Sequence, residues 1–139
     1  AISPWLLAFS LFIFLSLALA KRQAELLKAS EKHDLTLPGR GWAIEDIPLV
    51  RTLGVGAGLI SVLVLALYVE SEQSVRLYGE PLWLWLVCPL LLFWIVRVWR
   101  ITEQGRMHHD PLVFAMRDAL SMVLGIIIVA VILIAVLGG

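Results

Sequence analysis

Four long apolar runs separated by polar connections organise this chain of 139 residues. They cover residues 2–20, roughly 52–69, roughly 81–98 and 119–137. None alternates apolar with polar positions, which excludes the strands of a membrane barrel. Each is close to the ~20 residues a helix needs to cross the hydrocarbon core. A backbone in lipid must also satisfy its own hydrogen bonds, which leaves α-helices. The pattern predicts an all-α polytopic membrane protein, with four transmembrane helices in one integral membrane domain spanning residues 1–139.

The polar connections carry patterns of their own. In "KRQAELLKASEK", Lys21, Glu25, Lys28 and Lys32 recur at spacings of four and three, so the first helix continues past the membrane surface with these side chains on one face. "LTLPGRGW" then breaks it through Pro38, Gly39 and Gly41. "AIEDIPLV" alternates apolar and polar residues and reads as a short segment lying on the membrane before the second span. Later, Asp110-Pro111 is a helix-start signal, with Asp suited to the cap and Pro to the first position. From there Asp110, Phe114, Arg117 and Asp118 are expected on one face, the last two at the membrane boundary. Ionisable groups at that depth are costly unless paired or facing a wet cavity.

Charge adds an orientation. The first connection carries Lys21, Arg22, Lys28, Lys32, Arg40 and Arg51; the third carries Arg97, Arg100, Arg106 and Arg117; the second has only Arg76. Six and four against one places loops 21–51 and 99–118 in the cytoplasm and both termini on the other side. Trp5, Tyr68, Tyr78, Trp83 and Trp85 suit an interfacial aromatic belt. With 60% hydrophobic and 16% charged residues the chain lies well away from soluble composition, and its zero formal net charge gives no field that would draw nucleic acid. Basic residues follow the first apolar run instead of preceding it, which is the reverse of a signal peptide. The single cysteine, Cys88, lies inside the third run, which rules out an internal disulfide and disfavours thiolate chemistry.

Two tempting motifs dissolve on inspection. Gly54, Gly56 and Gly58 in "TLGVGAGLI" have no strand before them, so they fit a small-residue helix face better than a phosphate cradle. His108 and His109 are adjacent, would diverge by about 100° on a helix, and have no third ligand at zinc spacing.

The blocks "LALAKRQAELLK", "RGWAIEDIPLVRTLGV" and "MHHDPLVFAMRD", in this order and spacing, resemble the C-terminal half of UbiA-type membrane prenyltransferases, in particular the branch related to decaprenyl-phosphate phosphoribosyltransferase. The resemblance covers nearly the whole chain. Two positions depart from it: Gln23 stands where the family pattern has Tyr, and Ala119 where it has Arg. The resemblance implies that the four spans correspond to helices six to nine of a nine-helix bundle. It also implies a diphosphate substrate held with Mg²⁺ at the cytoplasmic face of a bacterial inner membrane. Lys21, Arg22 and Arg117 would then contact the diphosphate, Glu25 would be a magnesium ligand, and Asp46, Asp110 and Asp118 would support the site. Implied partners are the lipid bilayer, a polyprenyl lipid substrate, and the N-terminal half or another membrane chain. Beside an unrelated small membrane protein whose charged loops only fix topology, two functions are open at this point. One is the C-terminal half of a transferase; the other is a truncated, catalytically inactive relative serving as a structural subunit of a membrane complex.

Overall fold

The computed structural model describes residues 4–31, 43–70, 81–107 and 111–137. Every regular element among them is helical, and four are long and apolar enough to cross a membrane. Helix α1 spans Pro4–Glu31, α2 Ile47–Val69, α3 Val87–Glu103, α4 Pro111–Arg117 and α5 Ala119–Leu137. Short 3-10 turns, Ile44–Asp46 and Pro81–Leu86, lead into α2 and α3.

At 28 residues, α1 is about 42 Å long, more than the ~30 Å hydrocarbon thickness. It therefore carries Lys21 through Lys28 beyond its apolar part without a break. The second span starts earlier than its apolar run suggests. "AIEDIPLV" does not form a separate surface segment: Ile44–Asp46 is a 3-10 turn and α2 begins at Ile47. Pro48 is tolerated there because a first-turn residue has no intrahelical acceptor for its N–H. The third span is displaced the other way. Pro89 cannot donate to a carbonyl four residues back and would clash with it, so the α-helix begins at Val87, placing Pro89 in its first turn. At the far end α3 runs past Val98 to Glu103 and stops at Gly105, whose φ of 73° suits glycine. Gly105 N–H donates to Thr102 O and Arg106 N–H to Ile101 O, both at 3.0 Å, satisfying two of the last helix carbonyls. Helix α5 occupies the fourth apolar run as expected.

Helices α1 and α2 form the closest pair, with α3 packed across both. Their shared core holds Ile13, Leu17 and Ala20 from α1, Val50 from α2, and Ile95, Val98 and Trp99 from α3. Close approach depends on Gly54 and Gly58. A Cβ at position 54 would collide with the Trp99 ring, and one at position 58 would come within 2.7 Å of Ile95 and 2.9 Å of Ser16. Ser16 fastens the joint: its Oγ donates to Gly54 O at 2.7 Å and accepts from Trp99 Nε1 at 3.0 Å. Gly56 takes no part, since a Cβ there would meet nothing within 4 Å. The small-residue face is thus Gly54 and Gly58 alone. Helix α5 leans on α3 and the Pro81–Leu86 turn and leaves Leu120, Val123, Ile127 and Ile134 exposed as an apolar stripe.

These contacts set opposite outcomes for two alanine substitutions. Removing a helical glycine gains about 1 kcal/mol of propensity. At Gly54 that gain is outweighed by overpacking against the buried Trp99, which typically costs about 1–3 kcal/mol. Gly54→Ala should lower the thermal unfolding midpoint in detergent, and Gly56→Ala should leave it unchanged or raise it. Equal midpoints for the two variants would refute the Trp99–Gly54 contact as the point of closest approach.

Candidate functional site

Most charged side chains of the described residues gather at one end of the bundle because the spans alternate in direction; Glu70, which accepts from Trp85 Nε1, lies at the other. The charged end contains the C-terminal part of α1, the start of α2, the end of α3 and the α4–α5 junction, and two polar links show that they meet there.

The first link is built on Gln23. Good helix formers from Lys21 to Glu31 keep α1 continuous, and its turn directs Gln23 inward with no exposed surface, while Glu25 and Lys28 point outward. Gln23 Nε2 donates to Glu103 Oε1 at 2.9 Å and to Ile47 O at 3.2 Å. Arg51 Nη2 donates to the other carboxylate oxygen of Glu103 at 2.8 Å. One carboxamide therefore joins α1 to the first turn of α2 and the last turn of α3. Gln23 Oε1 is buried and receives no donor among the described residues.

The second link holds the α4–α5 junction. Arg97 of α3 grips Asp118 with two donors, Nη2 to Oδ1 at 2.8 Å and Nε to Oδ2 at 3.3 Å. Asp118 Oδ2 also accepts from Ser121 N–H at 2.9 Å and Ser121 Oγ at 2.8 Å, capping the start of α5. Ser121 Oγ accepts in turn from Trp94 Nε1 at 2.9 Å. Backbone bonds cross the junction without interruption, Asp118 N–H to Phe114 O at 2.8 Å and Met122 N–H to Asp118 O at 3.0 Å. Burial pushes the Asp118 carboxyl up, but the Arg97 guanidinium and the Ser121 donors overcome it and hold the group below the usual carboxylate range.

The residues singled out from the sequence fall into different settings. Arg22 and Glu25 come together as an i,i+3 pair, Nη1 to Oε2 at 2.7 Å, with Glu25 the more exposed partner. Such surface pairs contribute only about 0.2–0.5 kcal/mol, so Glu25 is readily released to another cation. Lys21 is half-buried one turn before Glu25, on the same helix. Asp46 caps its own 3-10 turn, accepting from Ala43 N–H at 2.9 Å. Asp118 is committed to Arg97 and Ser121. Arg117 is exposed at the end of α4, whereas Phe114 packs against the core, so these two do not act as one face. Asp110, His108 and His109 lie outside the described residues. Gln23, Arg51, Arg97 and Glu103 were not singled out as site residues, although acidic and basic residues at the mouths of successive spans were a visible signal.

No group of three His, Cys, Asp or Glu side chains suited to a metal exists among the described residues. A closed protein site for Mg²⁺ is therefore not formed by them. An ion shared with substrate phosphates needs only one or two carboxylates, and Glu25, with one oxygen unused by Arg22, fits that arrangement. Towards the opposite end of the bundle lies an apolar cavity of about 250 Å³, lined by Leu6 and Phe9 of α1, Leu65 and Tyr68 of α2, Val87 and Leu91 of α3, Ile128 and Ile132 of α5, and Leu84. Its walls suit hydrocarbon.

No protein-family model matches the chain. No solved structure matches it either. Two relatives do. The uncharacterized protein y4nM of Sinorhizobium fredii strain NGR234 is 38% identical over 130 residues, which are 92% of this chain and 25% of that protein. The nodulation protein NoeC of Azorhizobium caulinodans is 34% identical over 118 residues, 84% of this chain and 38% of that protein. The chain thus spans about a quarter and somewhat over a third of the length of these two relatives.

Proposed function

We propose that this chain is the C-terminal half of a UbiA-type transferase that acts on a diphosphate substrate at the cytoplasmic face of a bacterial inner membrane. The observation that carries the reading is the unbroken extension of α1, which presents Lys21, Arg22 and Glu25 within about one helical turn, at the end of the bundle that also holds Arg51, Arg97 and Asp118. Breaking a bond to diphosphate puts charge on the leaving group, and cationic groups fixed beforehand lower that cost. Lys21 and Arg22 would bind its oxygens, with Arg22 exchanging the Glu25 carboxylate for phosphate. Glu25 would hold Mg²⁺ jointly with the diphosphate, the ion supplying further neutralisation of the leaving group. Arg97 and Asp118 would position the α4–α5 junction and keep Arg117 at the mouth. A polyprenyl chain would occupy the apolar cavity between the helices.

A structural subunit of a larger membrane complex is the second reading. It is favoured by one observation: Glu25, Glu103 and Asp118 are each already paired with an arginine of this chain.

Two measurements test these readings. In membranes carrying the complete gene product, Lys21→Ala and Glu25→Ala should each reduce diphosphate release from a polyprenyl or phosphoribosyl diphosphate at least roughly tenfold, equivalent to about 1.4 kcal/mol of barrier, without loss of membrane insertion. Chelation of Mg²⁺ should abolish release. Undiminished rates in both variants would exclude these residues, and no release by the wild type would favour the subunit reading. For orientation, a cysteine replacing Lys28 in a Cys88→Ser background should resist a membrane-impermeant thiol reagent in intact spheroplasts, while one replacing Glu72 should react. The reverse pattern would invert the topology.

A further inference from the structure

Gly56 departs from its neighbours. Gly54 and Gly58 are demanded by Trp99, Ile95 and Ser16, whereas no contact within the described residues calls for glycine at position 56. It forms the floor of an apolar groove of about 360 Å³ between α1 and α2, walled by Phe12, Leu15 and Leu19 on one side and Leu53 and Ile60 on the other. Thr52 also lines the groove but turns its hydroxyl back to Pro48 O at 2.9 Å, which leaves the lining apolar. The groove is short. It runs from Thr52 to Ile60 along α2, about 12 Å of helix, and from Phe12 to Leu19 along α1, about 10 Å. A helix crossing the bilayer has ~30 Å of hydrocarbon to traverse, of which one leaflet supplies about half. The groove therefore matches the depth of a single leaflet. It lies on the charged side, since Thr52 follows Arg51 and Leu19 is two residues before Lys21.

The mouth of the groove is basic. Leu15, Leu19 and Arg22 share one face of α1 at spacings of four and three, and Arg22 stands about 4.5 Å along the axis beyond Leu19. That is the level at which a headgroup follows its acyl chain. Arg22 is held there by the exposed Glu25 carboxylate at 2.7 Å, an i,i+3 pair of the weak kind. Within residues 21–28, Lys21, Arg22 and Lys28 outnumber Glu25, which favours a headgroup of net negative charge. Glycine at the floor lets a methylene chain lie against the α2 backbone, where a larger side chain would fill the slot. We propose that the α1–α2 groove binds an anionic phospholipid of the leaflet on the charged side, with one acyl chain laid over Gly56 and its phosphate on Arg22 in place of Glu25. The inference goes beyond the proposed transferase and does not depend on it. Under that reading the headgroup and the diphosphate compete for Arg22.

Photolabelling tests it on the gene product as encoded, reconstituted in phosphatidylcholine nanodiscs. A trace of phosphatidylglycerol or of phosphatidylcholine carries a diazirine in its acyl chain, and labelled peptides are identified by mass spectrometry. The phosphatidylglycerol probe should label residues 12–19 and 53–60 about fivefold more than the phosphatidylcholine probe, the factor expected from one basic side chain on an anionic headgroup. Unlabelled phosphatidylglycerol should remove the excess. Around Ile126, which is 70% exposed on α5, the two probes should label equally. Gly56→Leu and Arg22→Gln should each abolish the preference, and Arg22→Lys should keep part of it. Arg100→Gln, at an exposed arginine of α3, should leave it intact. Equal labelling of the groove by both probes in the wild type would mean bulk lipid only and would overturn the proposal. So would a groove that neither probe labels, a preference that survives Gly56→Leu or Arg22→Gln, or one lost in Arg100→Gln.

Discussion

The Trp99 ring can lie against α2 only because position 54 has no side chain, and the three-helix core depends on that contact. Apolar side chains gain nothing by leaving lipid for one another, so these helices are held by fit and by hydrogen bonds that have no water to compete with them. Ser16 meets both needs. It occupies little volume, and its hydroxyl joins the carbonyl of Gly54 to the indole N–H of Trp99. Each of α1, α2 and α3 thereby contributes one atom set to a single joint. Ile95, one turn before Trp99, repeats the arrangement against Gly58.

From that joint the charged end follows. Once α1 and α3 are locked at Ser16 and Trp99, Gln23 and Glu103 are carried to the same level, and the first turn of α2 lies within reach of both. The Gln23–Glu103–Arg51 cluster and the Arg97–Asp118–Ser121–Trp94 cluster then fix the remaining helix ends. Their polar groups are largely matched, which is the condition for keeping charge near lipid. The contrast with Arg22–Glu25 is informative. That pair is local, more exposed and weak, which makes it the exchangeable element at an otherwise fixed end.

Much of the fold was legible because lipid imposes simple rules. The existence, number and helical nature of the spans follow from run length, and the continuation of α1 follows from the spacing of Lys21, Glu25 and Lys28. The boundaries of α2 and α3 were less so, since Pro48 and Pro89 decide them through hydrogen-bond geometry that hydropathy does not register. Among the site residues, the i,i+3 pairing of Arg22 with Glu25 was within reach of spacing alone. Glu103 meets Arg51 and Gln23, 52 and 80 residues away in the chain, and Asp118 meets Arg97, 21 residues away, so no local pattern could name these partners.

The glycine motif shows the division most clearly. By itself the sequence determined a bundle of membrane helices with a small-residue stretch in the second of them, because apolar length and residue size are properties of single positions. Only the tertiary structure decided that Gly54 and Gly58 serve the core while Gly56 faces a groove, and that Gln23 is buried while Glu25 is exposed. Those outcomes depend on the rotation of each helix about its own axis. That rotation is set by which side chains of a neighbouring helix fill the space opposite.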